Sequence, residues 1–396
     1  MTTAAAPDDS VAQVARHVLR HGPLPRGAVA RALGLSPGSL TRLGAPLLAG
    51  GVLVETPPVT DPVTRRPTRP LDIVLDRHRF VGVGVDAGGA RAVLTDLRAT
   101  VLRRARRPLA GTGPEQVADA VAGLVAELGT DGGPSVGADG APSVGTDGGP
   151  SGVGVALGGV VDPAGRVLQA DALGWRTPVD LAALVAARTG GDVVVGDELA
   201  CLTAAEHWFG VGREHPAFAL LTLGTEVGHG LVVGDRQVHL PDPTLVGHLP
   251  LEPGGPRCPQ GHRGCAAALV TVPALLAAAH VAYGRPTSWR ELLVDAVDGV
   301  VRARRVVDDA AAHLGRVVGL LTATTGVTQV VVDGEGADLA VVGYESLQAA
   351  VDEHRRRGAA GIEFTVRDHD PGTPARGAAG AAVRAFAADR WLGGGH

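Results

Sequence analysis

The stretch FVGVGVDAGGARAVLTDLRATVLRRARRPL, residues 80 to 109, reads as an apolar strand that enters the turn Asp86-Ala87-Gly88-Gly89, leaves it as a second strand, and turns again at Arg98. A tight glycine turn after a strand lets backbone N–H groups approach a phosphate, which makes Asp86, Gly88 and Gly89 the first candidate site residues. The pattern recurs downstream. LLTLGTEVGHGLVV (220 to 233) carries the turn Gly224-Thr225-Glu226-Val227-Gly228, and VVVDGEGAD (330 to 338) carries a third. Between these turns lie helical stretches: Pro114 to Leu128 is one helix, and Trp289 to Thr325 reads as one or two long amphipathic ones. Strands, glycine turns and helices in alternation describe an α/β protein.

The chain has 396 residues, 45% hydrophobic and 19% charged, enough for two or three domains with cores of their own. It has no Lys and no Asn, so every basic side chain is Arg and a common sugar-binding amide is missing. The opening MTTAAAPDDS lacks the basic start and apolar run of a secretory signal. The longest apolar stretch, Ala266 to Ala279, is interrupted by Thr271 and Pro273 and falls short of the ~20 residues a bilayer span needs. A cytoplasmic protein without a membrane partner is expected. Cys201, Cys258 and Cys265 cannot build a disulfide framework, and the last two sit seven apart in a glycine-rich loop, EPGGPRCPQGHRGCAAA (252 to 268), which points toward metal more than redox chemistry.

The net charge of −5 conceals an asymmetry. From Ser10 to Pro70 eight Arg face only Glu55 and Asp61, a balance of +6 that leaves −11 for the rest. A basic module fused to an acidic body suggests two kinds of partner, a polyanion first among them. VAQVARHVLR (11 to 20) and GAVARALG (27 to 34) read as two helices. Ser36 then caps a third, with Pro37 at its first position. Two helices joined by a short glycine-containing turn make the layout of a DNA-reading helix-turn-helix, in which Ser36, Ser39, Thr41 and Arg42 face bases or phosphates. Gly44 and Pro46 are expected to kink that third helix or stop it early. GGVLVET and DIVLD (72 to 76) read as short strands of a wing, with Arg65, Arg66 and Arg69 near its tip for phosphate or minor-groove contact.

The three glycine turns, with GVGVALGGVVDPAGRV (152 to 167), ADALGW (170 to 175) and VVVGDELACLTAAEHWFG (193 to 210) between them, resemble in this order the ROK family of repressors, open reading frames and kinases. The resemblance runs from about residue 79 almost to the C-terminus. With the basic module in front, the chain looks like a ROK transcriptional regulator of the xylose- or N-acetylglucosamine-repressor type. The resemblance implies a winged helix-turn-helix (1–75) followed by a two-lobed actin-like ATPase and sugar-kinase body of ribonuclease H-like fold (76–396). Its lobes would lie at about 79–195 and 196–396. It also implies a homodimer, or a dimer of dimers, on a double-stranded DNA operator.

The same resemblance assigns roles within the body. Asp197 matches the aspartate that acts as general base on the sugar hydroxyl in ROK kinases, and Asp197, His248, Gly158 and Gly159 would line the ligand cleft. His248, Cys258 and Cys265 match three of the four ligands of a structural zinc. Gln260 stands where a middle cysteine belongs, so either His262 supplies the fourth ligand or the metal has been lost. Gly196 replaces an Asn, Leu245 a sugar-binding Glu, and Pro259 a position that is often Glu. In the phosphate turns Ala90 replaces a Thr, while Gly224, Thr225 and Gly228 now flank the carboxylate of Glu226. Kinase activity is therefore not expected. Three readings follow: a DNA-binding regulator, a repressor by type, sensing a sugar or sugar derivative; an ATP-dependent sugar kinase with an extra module; and a degenerate body that binds DNA without ligand.

GTDGGPSV, GADGAPSV and GTDGGPSG (129 to 152) form an octapeptide repeat with no apolar face, expected to be a flexible surface insertion.

Overall fold

The computed structural model describes residues 7–60, 65–129, 149–353, 355–356 and 358–392. Most of the octapeptide repeat, 130–148, lies outside them. Helix α1 (Pro7–His21) places Val14, Ala15, Val18 and Leu19 on one buried stripe. It packs on α2 (Arg26–Ala32) and α3 (Pro37–Ala49). Ser36 caps α3 as its sequence indicates: its hydroxyl oxygen accepts from the Ser39 amide at 3.1 Å, and Pro37 takes the first turn. The expected early stop at Gly44 or Pro46 is corrected. The helix runs on to Ala49, because Pro46 and the Arg42 residue whose carbonyl it leaves without a helical donor are both exposed to solvent.

The wing has two tiers instead of one strand pair. Strands β1 (Leu53–Glu55), β2 (Val59–Thr60), β3 (Pro67–Thr68) and β4 (Leu71–Ile73) form nested antiparallel pairs, β1 with β4 and β2 with β3.

The body follows with β5 (Phe80–Asp86), β6 (Gly89–Thr95), β7 (Val101–Arg107), α4 (Pro114–Gly129), β8 (Gly152–Leu157), the small strands β9 (Val160–Val161) and β10 (Val167–Gln169), α5 (Leu181–Thr189), β11 (Val193–Asp197) and α6 (Glu198–Phe209). The main sheet has the order β11-β8-β5-β6-β7, with β5, β8 and β11 parallel and β6 antiparallel to both of its neighbours. A second series comprises β12 (Phe218–Leu223), β13 (Val227–Val233), β14 (Arg236–Gln237), α7 (Ala266–Val270), α8 (Val272–Tyr283), α9 (Trp289–Val297), α10 (Val301–Thr325), β15 (Gln329–Asp333), α11 (Leu339–Val342), α12 (Tyr344–Glu353) and β16 (Glu363–Val366). Its sheet order, β14-β13-β12-β15-β16, repeats the first: two antiparallel pairings, then two parallel ones. Each sheet is thus a ribonuclease H-like half of the same design.

The last helix, α13 (Thr373–Leu392), returns to the first sheet. The molecule accordingly divides into two compact units, Met1–Arg213 with Pro374–His396, and Glu214–Thr373. This differs from lobes split near 195. Helix α6 stays with the first sheet, and α13 crosses the strands so closely that they need glycine. A methyl group on Gly82 would stand 2.0 Å from the Ala375 carbonyl oxygen, and one on Gly154 would stand 1.9 Å from that of Ala378.

No linker separates the N-terminal module from the sheet behind it. Val14, Val18 and Leu19 share one core with Leu53, Leu71, Phe80 and Leu97, and with Ala382, Val383 and Ala387 of α13. At the β6–β7 turn Arg98 donates to the carbonyls of Leu19 at 3.0 Å and Val18 at 3.1 Å, and it ion-pairs with Asp72 of β4. Among the described residues no helix is long and apolar enough to cross a membrane.

Candidate functional site

Strands β5, β8 and β11 run parallel and in register, Val85 beside Leu157 and Leu157 beside Asp197, so their carboxyl ends meet along one edge of the first sheet. That is the edge where open α/β sheets hold ligands. It gathers Asp86, Gly88 and Gly89 after β5, Gly158 and Gly159 after β8, and Asp197 closing β11. The Asp86 carboxylate folds back on its own turn, accepting from the Gly88 amide at 2.7 Å and pairing with Arg91 at 2.6 Å. One amide expected to face a phosphate is therefore already engaged. Asp197 is half-exposed and caps α6, its Oδ1 accepting from the Leu199 and Ala200 amides at 2.9 and 3.0 Å. A group added at Gly158 would meet open space, whereas one at Gly159 would strike the Gln169 carbonyl at 2.3 Å.

In the second unit the β12–β13 turn exposes Thr225 and Glu226 and is closed by the Gly224 amide donating to the Glu226 carbonyl at 3.0 Å. Nearby, a short 3-10 turn, Leu245–His248, and the loop before α7 bring four metal-binding groups together. The Nδ1 of His248 lies 3.1 Å from that of His262, 4.0 Å from the Cys258 sulfur and 3.9 Å from the Cys265 sulfur, and Cys258 is 3.7 Å from His262. All four ligand atoms fall within 4.8 Å of one another. Zinc bonds of about 2.3 Å to sulfur and about 2.0–2.1 Å to nitrogen place tetrahedral ligands roughly 3.3–3.8 Å apart. His248, Cys258, His262 and Cys265 form a group that can hold a metal ion. Burial pushes the Cys258 thiol up, but the Gln260 amide, the Cys265 thiol and the amides of His262 and Gly261 together bring it below the ordinary cysteine range. Burial leads at Cys265 and holds it above that range. The loop depends on Gly264, at φ +56, where a methyl group would stand 1.5 Å from the Glu252 carbonyl oxygen.

His248 and Cys258 of this group line a cavity of about 690 Å³ within this unit. Apolar residues of α7, α8 and α10 form much of its wall, with Glu226, Glu252, Asp309 and His313 among the polar ones. His313 stands 3.4 Å from Glu252, and burial lowers its pKa, with Arg316 adding to the shift. Nothing local in the sequence marks His313, which is one polar residue inside a 25-residue helix. Leu245, in the place of a sugar-binding Glu, is 61% exposed. His248 belongs to the second unit, and Asp197, Gly158 and Gly159 belong to the first.

In the N-terminal module Ser36, Thr41 and Arg42 are exposed and Ser39 is half-buried at the start of α3; Arg65, Arg66 and Arg69 are exposed on the outer wing. Arg65 has φ +57. Arg26 of α2 bonds Glu55 of β1 at 2.8 Å and, with Arg69, holds that carboxyl below its usual range, so one of the two acids between Ser10 and Pro70 is already paired.

The family model described as the ROK family matches residues 82–385. The chain belongs to the ROK family. The xylose repressor of Bacillus subtilis (strain 168) is 22% identical over 254 residues, 63% of this ROK chain and 62% of the repressor. The glucokinase of Thermotoga maritima (strain ATCC 43589 / DSM 3109 / JCM 10099 / NBRC 100826 / MSB8) is 37% identical over 93 residues, 23% of this chain and 29% of the glucokinase. The match thus spans less than two thirds of either relative. A crystal structure of a ROK family transcriptional regulator, homologous to the E. coli MLC protein, superposes with a TM-score of 0.76 at 18% identity, covering 98% of both chains. That likeness establishes the fold, its N-terminal helical module included. The family contains both repressors and kinases.

Proposed function

We propose that this ROK protein is a sequence-specific DNA-binding transcriptional regulator, a repressor by type, that responds to a sugar or sugar derivative and has lost kinase activity. The observation that carries the reading is the N-terminal module, residues 1–75. A capped helix offers Thr41 and Arg42 to solvent beside a wing that exposes Arg65, Arg66 and Arg69, and the whole is built into the core of the body, residues 76–396. The start of α3 would enter a major groove, with Ser36, Ser39, Thr41 and Arg42 meeting base edges or phosphates. The wing arginines would hold the backbone or minor groove. In a homodimer two such modules match a palindromic operator. A cytoplasmic location follows from that role.

Zinc is the metal we assign to His248, Cys258, His262 and Cys265. Two sulfurs and two imidazole nitrogens at tetrahedral spacing suit a closed structural site, which would fix the loop on one wall of the cavity. The effector would be met by Asp197, Gly158 and Gly159 at the carboxyl ends of β8 and β11 in the first unit. Loss of kinase activity is supported by Leu245 and Pro259 in place of carboxylates, by Glu226 in the phosphate turn, and by the Asp86–Arg91 pair.

Selection of bound sequences from random duplexes tests the reading. One motif should be enriched, and Arg42→Ala with Arg65→Ala should abolish the enrichment. No enriched motif would sink the proposal. A second reading, an ATP-dependent sugar kinase, draws on Asp197 at the carboxyl end of β11, where a general base would stand. Incubation with ATP and a panel of sugars decides it: turnover that disappears in Asp197→Ala would replace our choice.

A further inference from the structure

Helix α6 touches both a candidate ligand residue and the DNA-binding module. At its start Asp197 accepts from the Leu199 and Ala200 amides. At its end the His207 carbonyl accepts from the Arg20 guanidinium of α1 at 3.3 Å, and Trp208 and Phe209 pack against the core that holds Val14, Val18 and Leu19. Twelve residues at 1.5 Å each put these ends about 18 Å apart.

The helix has little room to move independently of its surroundings. Residues Cys201 to His207 are all buried. A methyl group on Gly377 of α13 would lie 3.0 Å from the Leu202 nitrogen, and one on Gly380 would lie 3.1 Å from the Ala205 side chain. On the strand side a methyl group at Gly196 would strike the Cys201 sulfur at 2.6 Å. At Gly377 the two helices meet almost backbone to backbone, and the short Ala205 and Cys201 side chains fill the space at Gly380 and Gly196, so little side-chain freedom is left to absorb a displacement of α6.

We propose that α6 is the element through which ligand occupancy at Asp197 reaches the DNA-reading module, with Arg20 as the positioning residue that receives it. The inference rests on the regulator reading above. A ligand hydroxyl or ammonium drawn to the Asp197 carboxylate competes with the two amides it caps. Weakening that cap loosens the first turn of α6, and the Arg20–His207 bond and the aromatic pair at the far end transfer the change to α1. Because α1 shares its core with α3 and the wing, the reading surface moves with it. Two sites and the element linking them are thereby named, as an allosteric claim requires.

A double-mutant cycle on the full chain tests this without knowledge of the effector. The readout is the Kd for the duplex enriched by selection. An N-cap contributes about 1 kcal/mol, so Asp197→Ala should weaken binding about fivefold. Arg20→Ala should do about the same, and the double variant should be no weaker than the worse single one. Asp197→Asn, which still caps, should lose less than Asp197→Ala does. A double variant whose loss is the product of the two single losses overturns the proposal, as does an Asn variant as weak as the Ala one. Circular dichroism checks that each variant folds; should Asp197→Ala not fold, Asp197→Thr, a weaker cap, takes its place in the cycle. If the wild type enriches no duplex, the regulator reading fails; if it does and the cycle is additive, only the α6 coupling fails.

Discussion

Gly82 and Gly158 sit in stretches of similar appearance, GVGVDAGG and GVALGG, yet the structure gives them opposite constraints. A methyl group on Gly82 would lie 2.0 Å from one α13 backbone atom and 2.3 Å from another, and neither belongs to a side chain that could rotate away. Gly82→Ala should therefore destabilise the chain by about 3 kcal/mol, read as a lower thermal midpoint. Gly158→Ala, with nothing within 4 Å, should stay within about 0.5 kcal/mol of the wild type. Equal midpoints for the two would contradict the α13 packing. At the metal tetrad, elemental analysis should find one zinc per chain in the wild type and almost none in Cys258→Ser. A wild type that is folded yet free of metal would refute the assignment. The place of His262 shows how far residues alone reach. Cys258 and Cys265 stand out by their spacing, but that His262 lies with them and His248 in a group able to hold a metal ion depends on a loop that turns back through Gly264, which no spacing rule encodes.

Among the elements, α3 departs from what its sequence indicates. Propensity argues for a break at Pro46, and the chain keeps the helix because Leu40, Leu43 and Leu47 are buried on one side while the proline lies on the other. Tertiary burial outweighs a local cost of ~3 kcal/mol. Pro46→Ala should recover part of that cost and raise the unfolding midpoint; a lower midpoint would mean that the proline holds a bend the packing needs. Several elements were legible from period and punctuation: the Asp86 turn, the break at Arg98, α4 and the α9–α10 pair all lie where the sequence puts them, whereas the inner pair of wing strands was not. The glycines of β5 and β8 were not. A strand glycine reads the same whether it admits a phosphate or a helix, and only the return of α13 tells which.

For the molecule as a whole, charge asymmetry makes a quantitative statement. If Arg65, Arg66 and Arg69 neutralise phosphates, log Kd for duplex DNA should rise linearly with log salt. Each Arg→Gln change on the wing should lower that slope by about one unit, with loss of affinity on specific and unrelated sequences alike. Arg42→Ala should instead reduce discrimination between sequences. An unchanged slope in the triple wing variant would remove the wing from the interface. Composition revealed the basic front module and the acidic remainder, but it could not reveal that they share a core. That sharing is carried by long-range features such as the Arg98–Asp72 ion pair and the placing of Leu19 and Ala382 in one core, which have no signature in any window of sequence.

The closure of that core by Ala382, Val383 and Ala387 also bears on the order of events during synthesis. The helices at the front of the chain emerge from the ribosome first, but their apolar stripe stays partly uncovered until some 360 more residues have been made. The second unit, Glu214–Thr373, has its own sheet and core. A nascent chain arrested before α13 would lack the residues that close the core of the N-terminal module. Any DNA binding by this protein is therefore expected only after α13 has been made, so that incomplete copies would not compete with complete ones for the same sites.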